Sequence, residues 1–159
     1  MAVHIIFFLF LACVSTAVSA PVSEIATPHF TIVNEGLSER YASRASDAAE
    51  SSIAVISKAL GTIPDSSITI TLASTSDRFR QLTEGSLPDW SAAVAMSGRR
   101  IVMTPLEGNK IEMENIIAHE IVHILINDAV REKYVPRWFH EGCAELYSGR
   151  WGFRNELYM

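Results

Sequence analysis

Hydrophobic and polar residues alternate along two short stretches of this chain, and apolar residues recur at helical spacing along a longer one. The alternation over residues 29–34 (HFTIVN) and 67–73 (SITITLA) predicts two strands. Between them, Ser38 is expected to begin a long helix that continues to Leu60 and stops at Gly61. The apolar residues that recur there at steps of three and four are Tyr41, Ala45, Ala48, Ala49, Ile53, Ile56 and Leu60.

The rest of the chain predicts a hairpin followed by two helices. The elements expected are a short capped helix (74–83), two strands (90–96 and 101–104), and two helices (about 111–127 and 136–148). Gly98 lies in the turn between the two strands, where a positive φ is needed. Because strands come mostly early and helices late, the order favours an α+β domain. In it, a small mixed or antiparallel sheet packs on the long helix.

Composition limits the class of protein. The 159 residues suit one domain, and a hydrophobic content of 48% is too high for a disordered chain. Thirteen basic residues against eighteen acidic ones give a formal charge of −5, which disfavours a nucleic-acid or anionic-membrane partner. Two cysteines, Cys13 and Cys143, are too few for a disulfide scaffold.

Residues 1–20 have the features of a secretory signal peptide. They carry no charged side chain, and an apolar run over 5–14 is followed by small residues that suit cleavage after Ala17 or Ala20. The run is too short for a membrane span, which needs about 20 residues. We therefore expect a secreted or periplasmic domain over 21–159 without a stable membrane span. The alternatives are a buried N-terminal strand and lipidation at Cys13, which is disfavoured because its flanking residues match a lipoprotein box poorly.

Residues 116–126 (IIAHEIVHILI) are apolar on every side of a helix, so we expect this helix to be buried all round. Its polar residues are His119, Glu120 and His123, and burying them is costly unless something compensates them. The histidines, four residues apart, can face one divalent ion, with Glu120 beside it to accept a proton from water. This is the H-E-x-x-H zinc pattern. The alternative is a buried hydrogen-bond cluster without metal.

A catalytic zinc site needs a third protein ligand. The metzincin positions for it are occupied by Ile126 and Ala129, which excludes that class, and another common solution is a glutamate on the next helix. Seventeen residues separate His123 from Glu141, which lies in the first turns of a predicted helix within the segment PRWFHEGCAELY (136–147). Glu141 can therefore return to the ion.

The pair H-E-x-x-H and W-x-x-E-G-x-A resembles the gluzincins, especially the peptidase MA-like group and the zinc aminopeptidases. The second motif is carried by Trp138, Glu141, Gly142 and Ala144. The resemblance implies a zincin-like fold and a Zn²⁺ held by His119, His123 and Glu141. It also implies that Glu120 is the general base of peptide hydrolysis and that Glu145 orients a ligand histidine. An edge strand over 90–96 would pair with an extended peptide or protein substrate; core packing is the alternative for that strand.

Two departures from the family pattern bear on activity. Met113-Glu114-Asn115 lies only four residues before His119, too close to be the amine-anchoring motif of the aminopeptidases, so we expect an endopeptidase. The chain ends eighteen residues after Glu141, before the family's usual oxyanion donor. Tyr147 is assigned that role, with Tyr158 and His140 as alternatives. If no donor is present, the expected function is a catalytically inactive, metal-binding module that binds proteins.

Overall fold

The computed structural model describes residues 21–64, 66–85, 87, 91–106, 113–131 and 133–149. Within these ranges the chain forms five strands and four helices. They are β1 (Ser23–Ala26), β2 (Phe30–Asn34), α1 (Glu39–Leu60), β3 (Ile68–Leu72), α2 (Ser76–Leu82), β4 (Ala93–Met96), β5 (Arg100–Met103), α3 (Met113–Val130) and α4 (Arg137–Tyr147). The predicted signal peptide, Cys13, Trp90 and Tyr158 lie outside the described residues. No helix in the described ranges has the length and hydropathy needed to cross a bilayer.

The five strands form one mixed sheet in the order β1-β2-β3-β5-β4. The central strands β2, β3 and β5 run parallel, whereas β1 and β4 pair antiparallel at the two edges. The predicted α+β class with a mixed sheet is therefore confirmed. The sequence did not predict β1, because its mostly exposed SEIA segment has no alternation and backbone pairing with β2 holds it as a strand.

The long helix α1 has the predicted ends. Ser38 caps it by accepting a hydrogen bond from the backbone N–H of Tyr41, and Gly61 follows it in the left-handed conformation with φ 64°. Its buried side is made mostly of alanines, which lets the helix lie close to its neighbours. The other apolar positions, Ile53 and Ile56, are 1% exposed and pack into the core.

The core lies between one face of the sheet and the helices α1 and α3. The alternating residues of the central strands face it, among them Ile32, Ile70 and Ile101, each with no exposed surface. On the other face, α2 covers a smaller cluster centred on Phe79. This arrangement places α3 beside the edge strand β4.

Helix α3 is buried around most of its circumference, as predicted. Ile117, Ile121 and Leu125 have no exposed surface, and the polar residues His119, Glu120 and His123 line a cleft that β4 also lines. The helix continues to Val130, one turn past the predicted end at Asn127. The dipeptide Asn127-Asp128 is typical of a turn, but Asp128 remains in the helix, where it forms an ion pair with Arg99.

Candidate metal centre

Helix α3 places His119 and His123 on the same side, one turn apart. Their Nε2 atoms lie 3.2 Å from each other, and the imidazole rings meet edge to face with centroids 4.9 Å apart. Both side chains are largely buried, with 12% and 18% of their surface exposed. Two nitrogen lone pairs therefore converge on one small region at the surface of the core.

Helix α4 supplies a carboxylate to the same region. Oε2 of Glu141 lies 3.5 Å from Nε2 of His119 and 3.8 Å from Nε2 of His123. The point equidistant from these three atoms is about 2.0 Å from each, which matches nitrogen and oxygen bonds to small divalent ions. His119, His123 and Glu141 thus form a group that can hold a metal ion, as their sequence pattern predicts.

The packing of α4 on α3 explains why Glu141 returns to the histidines. Ala144, three residues after Glu141, is completely buried in the main core, and Cys143 packs against the same core. Residues three apart lie on neighbouring positions of a helix surface, so burying Ala144 turns Glu141 toward α3. Burial raises the pKa of the Cys143 thiol, as expected for a packed cysteine.

The electrostatics of the site favour a neutral imidazole at His123, which can bind a cation. Burial and the neighbouring His119 lower the pKa of His123 to about 4, so its ring is uncharged at neutral pH. Glu141 remains 44% exposed, which leaves the outer side of the group open to solvent. Two imidazole nitrogens and one glutamate oxygen are donors that suit a divalent cation.

Glu120 lies beside the histidines and points toward the sheet. Its Oε2 accepts a hydrogen bond of 2.6 Å from the backbone N–H of Ala95 in the edge strand β4. Only 9% of Glu120 is exposed. The bond attaches the middle of α3 to β4 and fixes one carboxylate oxygen, so the orientation of Glu120 depends on the position of that strand.

A cleft of about 840 Å³ opens over these residues. Its walls are the β4 strand with the preceding Ser91 and Ala92, the polar face of α3, and the segment that leads into α4. Tyr134, Arg137 and His140 line the side opposite β4. The cleft is large enough for several residues of a peptide and reaches all three candidate ligands as well as Glu120.

The remaining predicted site residues occupy different places. Glu145 Oε1 lies 3.6 Å from Nδ1 of His119, on the side of the ring away from Glu141, which is the position expected of a ligand-orienting carboxylate. Tyr147 lines another cavity, of about 510 Å³ between α1, α3 and α4, with Ala48 and Ala118. The structure does not bring Tyr147 to the cleft, because it lies on the α4 face that packs toward α1.

His140 is one of the two alternative oxyanion donors that the sequence suggests, and it does line the cleft. Its ring centroid is 5.7 Å from that of His123. Sequence reasoning missed Ala95 and Arg99, which attach the β4–β5 hairpin to α3. An alanine backbone N–H has no sequence signature, and the partner of an arginine in a turn depends on which helix packs beside it.

No protein-family model matches this chain, and no curated protein does.

Proposed function

We propose that this protein is a secreted, zinc-dependent metallopeptidase of the gluzincin type that cleaves within peptide chains. The observation that supports this most strongly is the convergence of His119, His123 and Glu141 on one point, with the Glu120 carboxylate in the same cleft. A metal site without a nearby proton acceptor would suit metal storage or a purely structural role. A metal site beside an open cleft, with a nearby carboxylate fixed by a hydrogen bond, suits hydrolysis.

Zinc is the metal that this donor set favours. Imidazole nitrogens select transition metals over calcium and magnesium, which prefer sites made only of oxygen. Two histidines and one glutamate are a ligand set of catalytic zinc sites, in which three protein donors leave one position open. When bound, zinc would act as a Lewis acid that polarises a carbonyl and lowers the pKa of water.

The chain's own residues would perform the proton transfers and the positioning. Glu120 would accept a proton from the attacking water and deliver it to the leaving amine. Glu145 would hold the His119 ring through Nδ1 so that Nε2 faces the metal. His140, on the wall opposite β4, would donate a hydrogen bond to the oxyanion in place of Tyr147.

The position of the cleft supports a peptide as the substrate. Its wall is β4, an edge strand that pairs only with β5 within the described sheet. Such an edge can bind an extended chain through backbone hydrogen bonds, here through groups other than the Ala95 N–H, which donates to Glu120. The short alanine side chains of β4 leave space for a peptide backbone to approach. The cleft continues past the metal group toward Ser91 and Tyr134, which suits cleavage inside a chain.

The test combines metal analysis with peptide hydrolysis on the purified protein. We expect about one zinc per chain, clearly less in Glu141→Ala, and hydrolysis of a quenched fluorescent peptide library that a chelator abolishes and zinc restores. Zinc binding without hydrolysis by a folded protein would support the inactive metal-binding module instead. A folded protein that binds no zinc would contradict both functions and leave a hydrogen-bonded His and Glu cluster.

A further inference from the structure

The turn between β4 and β5 contains an arginine in an unfavourable backbone conformation. Gly98 has φ 73°, as predicted, but the next residue, Arg99, also has a positive φ, of 58°. Glycine or asparagine tolerates this conformation better than a residue with a long side chain. An arginine held there by its surroundings points to a role for its side chain.

The side chain of Arg99 reaches the far end of the metal-binding helix. Its Nη1 lies 3.0 Å from Oδ2 of Asp128 in the last turn of α3, and each side chain is only 18% exposed. The carbonyl of Arg99 accepts a hydrogen bond of 3.0 Å from the N–H of Thr69 in the central strand β3. Arg99 therefore joins the turn, the middle of the sheet and the end of α3.

Within the described residues, the ion pair is a second polar attachment between this hairpin and α3. The first is the hydrogen bond from Ala95 N–H to Glu120. Ala95 and Arg99 are four residues apart in the hairpin, and Glu120 and Asp128 are eight residues apart, or about 12 Å along the helix. β4 is held by β5 on one side, and the two attachments to α3 define both its distance from the helix and its direction along it.

We propose that Arg99 and Asp128 are positioning residues that hold β4 on α3 so that Glu120 keeps its catalytic orientation. The consequence for turnover rests on the proposed function, but the attachment itself does not. A buried ion pair adds little net stability, because desolvation offsets the attraction. Within the described residues, Nε and Nη2 of Arg99 are also buried without a hydrogen-bond partner. Stability alone therefore does not explain an arginine here.

The decisive variants are Arg99→Asn and Arg99→Gly, which suit a positive φ better and remove the ion pair. A residue needed only for the turn would tolerate both changes with unchanged turnover. We expect unchanged zinc content and a lower melting temperature, because the remaining partner of the ion pair is left largely buried without its opposite charge. Measured well below the melting transition, kcat should be about tenfold lower or more, with a smaller change in KM. Asp128→Asn should reproduce this effect. Full kcat in all three variants would overturn the proposal.

Two further measurements guard against misfolding and against failure of the proposed function. The exchanged pair, Arg99→Asp with Asp128→Arg, should recover most of the lost kcat, since aspartate tolerates the positive φ. The Ala95 amide should also exchange with solvent at least about tenfold faster in Arg99→Asn than in the parent, and by a larger factor than the amide of Ile70 in the central strand β3, which reports global unfolding. The measurement of amide exchange does not require that the protein hydrolyse peptides. Unchanged exchange overturns the attachment even if turnover falls, and faster exchange supports it even in a protein without turnover.

A matched control is available in α2. Asp77 and Arg80 form an exposed ion pair at 2.9 Å, and neither is among the described residues that line the cleft. Asp77→Asn should leave kcat, KM and the exchange of the Ala95 amide unchanged. A loss equal to that of Asp128→Asn would show that removal of any ion pair has the effect and would overturn the specific role of Arg99.

Discussion

The carboxylate of Glu120 and the backbone N–H of Ala95 form a hydrogen bond of 2.6 Å that links the metal-binding helix to the edge strand. The Glu120 side chain thus contacts the sheet and, in the proposed mechanism, the reacting water. Glutamine can accept the same hydrogen bond but cannot accept a proton at neutral pH. The two roles of Glu120 can therefore be separated by substitution.

We expect Glu120→Gln to keep the fold and the metal while losing turnover by about 10²-fold or more, because it removes the general base alone. Zinc per chain, the melting temperature and kcat should be measured together. Glu120→Ala is the matched comparison, since it also removes the bond to Ala95 and should lower the melting temperature. Retained turnover in Glu120→Gln would exclude Glu120 as the base.

Glu145 is expected to strengthen metal binding without contacting the metal. Its Oε1 lies 3.6 Å from Nδ1 of His119. Removing a carboxylate that orients a ligand typically weakens metal binding about 10- to 100-fold. Titration of Glu145→Gln against a competing chelator should show a loss in this range. Glu39→Gln, in the exposed first turn of α1, serves as the control and should bind metal like the parent.

His140 and Tyr147 give opposite expectations for the oxyanion donor. His140 lines the cleft, so His140→Phe should lower kcat by about 10²-fold and leave the zinc content unchanged. Tyr147 lines the other cavity, so Tyr147→Phe should leave kcat within about twofold of the parent. Steady-state kinetics on one peptide decides between them. The reverse pattern would restore the assignment of Tyr147.

The metal-free protein should lose stability in mild acid because of His123. Its pKa is about 4 in the folded state, against 6.5 for an ordinary histidine, so between these values the unfolded chain binds a proton that the folded chain does not. The free energy of unfolding should therefore fall as the pH drops from about 6.5 to 4, by roughly 1 to 3 kcal/mol.

Thermal or urea unfolding in the presence of a chelator measures this loss. The comparison is with His123→Asn, which has no imidazole to protonate and should show a shallower dependence on pH over the same range. Parallel pH profiles of the two proteins would mean that burial of His123 does not control acid stability.

Most local features of the fold could be predicted from the sequence, because periodicity and capping depend on neighbouring residues. Alternation marked β2 and β3, and Ser38 and Gly61 marked the ends of α1. The apolar residues around His119 and His123 indicated a buried helix, and a four-residue spacing brings two side chains together in any regular helix. The mutual placement of the two histidines is therefore local information.

Features that depend on distant elements were decided only by tertiary structure. The strand β1 exists because β2 offers it backbone partners, and α3 passes Asn127 because Asp128 meets Arg99. The sequence suggested that Glu141 returns to the histidines, but its distance from them depends on how α4 packs through Ala144. Similarly, the packing of α4 turns Tyr147 toward α1 and leaves His140 in the cleft.

The sequence by itself determined which residues can bind a metal ion, because donor chemistry and helical spacing are properties of a single segment. Tertiary structure determined how Glu120 is held, because its partner is the backbone N–H of Ala95, which lies twenty-five residues away in the sequence. Backbone groups are the same at every position. Which of them a buried carboxylate meets is therefore set by the packing of strand on helix.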